Sequence, residues 1–230
     1  MQTHGSCADS QAAADSPAKA GDTPRRKSLT PIIKAVGNFC NLRCSYCFYS
    51  RQDQSRHTVM EAALLETFIR QYFDLFRGPA CFVWHGGEPL LAGLEFYELA
   101  LHLQRTHAAP GQRFENAVQT NATLIDDRWA RFFRANHWRV GVSVDGTPEV
   151  HDQFRLDRRG TGSSGAVRAG IEVLRRHRVP FGVVLVLTRS AIEHVGKSFR
   201  HLTTEIGADH ISINCPVSYT HLTLPTNREV

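Results

Sequence analysis

Cys40, Cys44 and Cys47 stand in the pattern Cys-x3-Cys-x2-Cys, within the run Cys40-Asn41-Leu42-Arg43-Cys44-Ser45-Tyr46-Cys47. Three thiolates this close on one loop can cap three irons of a cubane 4Fe–4S cluster, for which cysteine sulfur is the usual ligand. The fourth iron then has no ligand from the loop, and that open corner is the chemical point. The amino and carboxylate groups of S-adenosylmethionine can chelate it, which brings the sulfonium beside the cluster. One electron from the reduced cluster would break the sulfur–C5′ bond and give a 5′-deoxyadenosyl radical, a strong hydrogen abstractor. The cofactors carry the hard chemistry, and the protein supplies placement and exclusion of water. A structural zinc site is the competing reading. Zinc wants four ligands and no open position; His57 could serve as the fourth, but the spacing differs from the paired Cys-x2-Cys knuckles of zinc modules.

A second constellation follows downstream. In Gly86-Gly87-Glu88-Pro89 the paired glycines let backbone approach a ligand closely. Backbone carbonyls and the Glu88 carboxylate suit an ammonium group, here the methionyl amine. Gln119-Thr120-Asn121 and Ser143-Val144-Asp145-Gly146 place polar side chains, Asn121 and Ser143 among them, where a ribose or carboxylate would lie. Arg155 offers a charge-assisted fork for the methionyl carboxylate. Taken singly, each has a plainer reading: Asn121 as a turn former, Ser143 as a strand-end hydroxyl, Arg155 as a surface cation.

The elements that must position these groups are short β-like runs alternating with amphipathic helices. The runs are Pro31–Val36, Ala80–His85, Phe114–Thr120, Trp138–Val144, Phe181–Leu187 and His210–Asn214. Thr58 and Glu61 make a capping-box pattern at the start of the first helix. Its apolar stripe is Leu64, Leu65, Phe68, Ile69, Tyr72, Phe73 and Phe76, and Gly78-Pro79 ends it. Further helices are predicted near Glu95 to Thr106, from an Asp126 cap through Asn136, near Gly165 to His177 and near His194 to Ile206. Six strand–helix units in series predict an α/β fold, a parallel sheet curled into a full or partial barrel with its helices outside. Functional groups then belong in the loops after the strands, and every special motif in this chain follows a predicted strand.

The 230 residues suffice for one sizeable domain with tails. The net charge of +5, from 27 basic and 22 acidic residues, is mild, and no basic run with interleaved aromatics suggests nucleic acid. No stretch of about eighteen apolar residues predicts a membrane span. Residues 1–28 are rich in Ala, Ser, Asp, Gly and Pro, lack the apolar segment of a secretory signal and are expected to be disordered. Three of six cysteines crowded together without an export signal argue for metal ligation and a cytoplasmic setting rather than disulfides. Cys7 and Cys81 read as bystanders, and Cys215 as a buried thiol.

Four segments together resemble the anaerobic sulfatase-maturating enzymes, radical S-adenosylmethionine proteins with an extra C-terminal cluster domain of the SPASM type. They are Cys40 to Tyr49, Trp84 to Tyr97, Gln119 to Asp126, and Ser143 to Thr147. The resemblance runs from about Ile32 to Cys215. It implies a partial (β/α)6 barrel of the radical S-adenosylmethionine type over residues 29–216, with Cys40, Cys44 and Cys47 holding one 4Fe–4S cluster. It implies that Tyr46 contacts the adenine, that Gly87 approaches the methionyl group, and that Ser143 and Arg155 bind S-adenosylmethionine. The implied reaction oxidises a Cys or Ser of an unfolded sulfatase polypeptide to Cα-formylglycine, in a reducing, oxygen-poor cytoplasm. A flavodoxin- or ferredoxin-like donor supplies the electrons.

The family also carries further cysteines for two auxiliary clusters and an acidic residue acting as base. After Cys47 this sequence has only Cys81 and Cys215, and Pro216 stands where the family tends to place an apolar contact to the cofactor. No catalytic base is identified in this chain. The run Ser218 to Thr226 resembles translated vector or adapter read-through, so residues 217–230 are expected to be foreign and the natural chain to continue past Pro216. Two other functions fit part of the pattern: a radical enzyme forming thioether or carbon–carbon crosslinks in a peptide, and a non-catalytic metal-binding module.

Overall fold

In a computed structural model, which describes residues 28–51 and 57–215, the alternating runs become six parallel strands ordered as in the sequence. They are β1 (Ile32–Ile33), β2 (Ala80–Trp84), β3 (Phe114–Thr120), β4 (Arg139–Ser143), β5 (Phe181–Val186) and β6 (Ile211–Asn214). Between them lie α1 (Ala62–Leu75), α2 (Leu94–His107), α3 (Asp127–Ala135), α4 (Pro148–Phe154), α5 (Ser164–Arg176), α6 (Arg189–Ile192) and α7 (Val195–Arg200). Sequential order, with a helical crossover between neighbours, is the plan of a barrel wall. Here β1 and β6 are its two edges, so the fold is the expected α/β partial barrel. The tails expected at 1–28 and 217–230 lie outside the described residues, apart from Ser28.

Register decides which side is dry. Ile33 pairs with Trp84, Trp84 with Val118, Val118 with Val140, and Val140 with Phe181. This row is buried and packs against the helices in one continuous core. Fully burying each large apolar side chain contributes about 1.5–3 kcal/mol relative to exposure. The alternate residues Val83, Ala117, Gly141 and Gly182 are half-buried and line a cavity of about 930 Å³. On the helix side all three tryptophans, Trp84, Trp129 and Trp138, join one aromatic cluster with Tyr97, Phe132 and Phe133. Three of the polar groups there are matched and one is not: the Gln104 and Asn116 amides bond reciprocally at 2.8–2.9 Å and the Trp84 indole donates to Asn116 Oδ1 at 2.8 Å, while the Trp138 indole N–H is buried without a partner among the described residues.

Several boundaries differ from expectation, each for a local reason. β1 holds only two residues, because the chain turns at once through Gly37 (φ +62°), with Gly37 N bonded to Lys34 O. α1 starts at Ala62, not Thr58. Glu61 sits at the N-cap without a side-chain cap, and Met60 N donates to Ala35 O, so a tertiary bond holds that segment extended. Its end comes at Leu75, before Gly78-Pro79, and Leu64 of the expected stripe is exposed. Asp126 caps α3 as expected, accepting from Trp129 N at 2.9 Å. The helix predicted near His194 to Ile206 is α7 followed by a π-type turn at His201–Glu205, and the short α6 ahead of it was not expected. α4 was not expected. Its signal was Thr147-Pro148, a proline at the first helical position, where its missing N–H costs nothing.

Candidate functional site

The cysteine loop leaves β1 and crosses the C-terminal mouth of the sheet. Cys40, Cys44 and Cys47 are not in disulfides; Cys44 is buried and the other two half-buried. Cys40 Sγ accepts from Leu42 N at 3.3 Å and from Asn121 Nδ2 at 3.8 Å. Burial pushes the Cys40 thiol up to about 12 and the Cys44 thiol to about 11. Such groups become thiolates only beside concentrated positive charge, which iron provides. Soft sulfur donors with N–H groups aimed at one of them fit an iron–sulfur cluster. Among the described residues no group of three or more His, Cys, Asp or Glu donors closes round a single metal ion. His57 stacks on the Phe39 ring instead, with centroids 4.6 Å apart. Cys215 is exposed rather than buried, at the end of β6; Cys81 is buried on β2, and Cys7 lies outside the described residues.

The Gly-Gly-Glu loop after β2 grips the cysteine loop directly. Gly87 has φ +56°, and a Cβ there would lie 2.1 Å from Phe39 O. The backbone approach read from the glycines is therefore made first to Phe39, and Glu88 N donates to Phe39 O at 2.9 Å. At Gly86 (φ +108°) a Cβ would meet the Lys34 side chain at 2.7 Å. Glu88, expected to face an ammonium group, is 1 % exposed and turned inward. It accepts from Leu90 N at 3.0 Å, Thr120 Oγ1 at 2.7 Å and Asn121 N at 2.8 Å. Burial pushes its carboxyl up to about 7, against the pull of those three donors. Glu88 thus fastens the end of β2 to the end of β3.

Asn121 carries that brace to the cluster loop. Its Nδ2 donates to Asn41 Oδ1 at 2.8 Å as well as to Cys40 Sγ. Its Oδ1 accepts from Thr123 N and Oγ1, at 3.0 and 2.8 Å. Ser143, the last residue of β4, accepts from Gln119 Nε2 at 3.0 Å.

Past β4 the hub is Asp145, 1 % exposed, whose importance its sequence position alone did not signal. Arg155 donates through Nε to Oδ2 at 2.8 Å and through Nη2 to Oδ1 at 3.0 Å. Val186 N donates to Oδ1 at 2.9 Å, and the Tyr46 hydroxyl donates to Oδ2. Burial alone would lower the Arg155 guanidinium, but Asp145 beside it holds it above its ordinary value. Burial likewise raises the Tyr46 phenol. The fork expected to take a ligand carboxylate is thus engaged with Asp145, while the guanidinium carbon lies 5.6 Å from the Tyr46 ring centre. α4 makes this possible by delivering Arg155 at its C-terminal end. Tyr46, Gly86, Gly87, Glu88, Asn121, Ser143 and Arg155 all gather at the mouth with the three cysteines, tied in three groups: Cys40–Asn121–Glu88, Tyr46–Asp145–Arg155 and Ser143–Gln119.

Known proteins are similar to this chain in sequence and in fold. The chain is 41 % identical over 170 residues to the serine-type anaerobic sulfatase-maturating enzyme of Bacteroides thetaiotaomicron, covering 71 % of this chain and 41 % of that one. It is 36 % identical over 177 residues to the cysteine-type enzyme of Clostridium perfringens, covering 75 % and 48 %. The solved structure of native anSMEcpe with bound AdoMet and Cp18Cys peptide superposes with a TM-score of 0.78 at 33 % identity, over 83 % of this chain and 52 % of that one. The chain spans less than half the length of those two curated relatives. A family model, the Radical SAM superfamily, matches residues 35–202, from the exit of β1 to the helices before β6. With the cysteine motif, the sheet and the braced mouth in agreement, this chain belongs to the radical S-adenosylmethionine superfamily, whose enzymes bind a 4Fe–4S cluster and S-adenosylmethionine.

Proposed function

We propose that this chain is the radical core of an anaerobic sulfatase-maturating enzyme, oxidising a Cys or Ser of an unfolded sulfatase polypeptide to Cα-formylglycine. Residues 29–216 are the core unit in this reading, acting in the cytoplasm with a flavodoxin- or ferredoxin-like electron donor. The observation that carries it is the interlocked mouth: the Cys40 loop is fastened to the loops after β2 and β3 by Glu88 and Asn121. The similarity to both serine-type and cysteine-type maturating enzymes supports the substrate class.

When bound, the cluster and S-adenosylmethionine supply one-electron reductive cleavage and the hydrogen abstraction that follows from it. Cys40, Cys44 and Cys47 would hold the cluster. Tyr46 would lie against the adenine, its hydroxyl fixed by Asp145. Gly86 and Gly87 would let the loop backbone line the methionyl group. Ser143 and Arg155 would bind S-adenosylmethionine, Arg155 held in place by its fork on Asp145, while Glu88 and Asn121 keep the surrounding backbone rigid. Holding the reacting groups in place before the electron arrives removes much of the entropic barrier.

Anaerobic reconstitution with iron and sulfide tests the reading. Brown protein that releases 5′-deoxyadenosine with dithionite and S-adenosylmethionine is the expected result, and Cys44→Ala abolishes both colour and cleavage. Colourless zinc-loaded protein, or a Cys44→Ala variant that still cleaves, overturns it. Oxidation of a sulfatase peptide, read by mass, tests the substrate assignment separately.

A further inference from the structure

We infer that Arg158, outside every motif of the mouth, is a positioning residue that clamps the cluster loop and sets the electrostatics of its cluster. This rests on the cluster assignment of the proposed function. Arg158 Nε and Nη2 both donate to the backbone oxygen of Cys40, at 3.0 and 2.7 Å. The guanidinium carbon also lies 4.7 Å from the centre of the Phe39 ring. A fork on one oxygen together with a stacked guanidinium is an arrangement open to Arg and closed to Lys.

The clamp belongs to a strap. Beyond α4 the chain folds back on itself, with Asp157 N bonded to Thr161 O and bridges pairing Leu156 with Gly162 and Leu42 with Asp157. A further backbone bond joins strap to cluster loop, Arg43 N to Leu156 O at 2.7 Å, and another ties that loop to the end of α4, Ser45 N to Phe154 O at 2.9 Å. The strap begins at Arg155, whose fork holds Asp145, so one short segment secures both halves of the mouth. Asp157 shapes its tip, since Oδ1 accepts from Arg159 N and Thr161 N, both at 2.8 Å.

Two consequences separate position from charge. Losing the fork frees the Cys40 carbonyl, and the ligand loop opens more often. Losing the charge removes a cation held beside a ligand cysteine, and reduction adds negative charge to the cluster. Charge and hydrogen bonding around a cluster set its potential, so the cluster becomes harder to reduce.

The full chain is reconstituted anaerobically as wild type, R158Q and R158K. Iron loss to a chelator is followed in time, and the cluster midpoint is read by EPR-monitored titration. R158Q is expected to lose iron several-fold faster than wild type and to show a more negative midpoint. R158K is expected to keep most of the wild-type midpoint while losing iron as fast as R158Q. Wild-type chelator resistance and midpoint in R158Q overturn the inference and leave the proposed function standing. If R158Q takes up no cluster, R158K decides, and wild-type iron retention there overturns the clamp. A wild-type chain that takes up no cluster at all overturns the functional reading itself.

Discussion

Arg155 and Asp145 meet in a two-pronged ion pair, 2.8 and 3.0 Å long, with side chains only 8 % and 1 % exposed. The pair gathers Tyr46 from the cluster loop and Val186 from the end of β5 onto one carboxylate. Removing one partner of a buried pair leaves an uncompensated charge and typically costs ~3–5 kcal/mol. Asp145→Asn is therefore expected to lower the unfolding free energy, read from a denaturant titration, by an amount of that order. It also releases the Tyr46 hydroxyl, and S-adenosylmethionine binding to the loaded protein, measured by equilibrium dialysis, should weaken with it.

Gly87 makes a sharper test of how the loops interlock. Alanine there must adopt a left-handed backbone, costing roughly 1–2 kcal/mol, and its Cβ collides with Phe39 O. The cysteine loop is the neighbour that has to move. Gly87→Ala is expected to take up little iron on reconstitution while its far-UV circular dichroism stays close to wild type. Iron per chain checks this.

Glu88 brings two oxygens to three donors. In Glu88→Gln an amide N–H₂ replaces one acceptor and faces a donor, so a buried N–H or O–H goes unpaired at a cost of about 1–3 kcal/mol. Thr120→Val removes one of those donors together with the acceptor of the buried Ala122 N–H, 3.0 Å away, and should cost a similar amount, about 1–3 kcal/mol. Chemical unfolding of the two variants should show losses of that size.

His151 gives the fold a pH dependence. It is 1 % exposed; Nδ1 accepts from Asp145 N at 3.3 Å, which leaves Nε2 to donate to Ser163 Oγ at 3.0 Å. Burial, then Arg155, lowers the imidazole from 6.5 to about 4, with Asp145 and Asp152 pulling weakly the other way. The folded protein keeps His151 neutral where the unfolded chain protonates it. Its contribution is therefore whole above about pH 6.5 and is lost as pH falls toward 4, a loss on the order of 3 kcal/mol. Unfolding free energies across that range should fall in wild type and fall less in His151→Gln.

The strands were legible because burial imposes a simple rule on them. β3 begins and ends where its alternation says, and the Asp126 cap is a local bond between near neighbours. The helix boundary at Thr58 was misread because the Met60–Ala35 bond, made by a distant turn, outweighs a local cap. The site divides in the same way. The cysteines and the residues of the mouth announce themselves by type and spacing. What they touch does not: Gly87 fits against Phe39, Arg155 turns to Asp145, and Arg158 reaches Cys40 across 118 positions. Such pairings exist only once the sheet has brought its loops to one end.

The gathering of Trp84, Trp129 and Trp138 into a single cluster beneath the helices has a practical corollary for experiments on this protein. Intrinsic emission of the iron-free chain reports on this buried layer, and through Trp84, the last residue of β2, on the start of the rim loop as well. A rim substitution that abolishes iron uptake yet leaves the emission maximum in place has damaged the chemistry alone, and a red-shifted maximum marks a scaffold that has come apart.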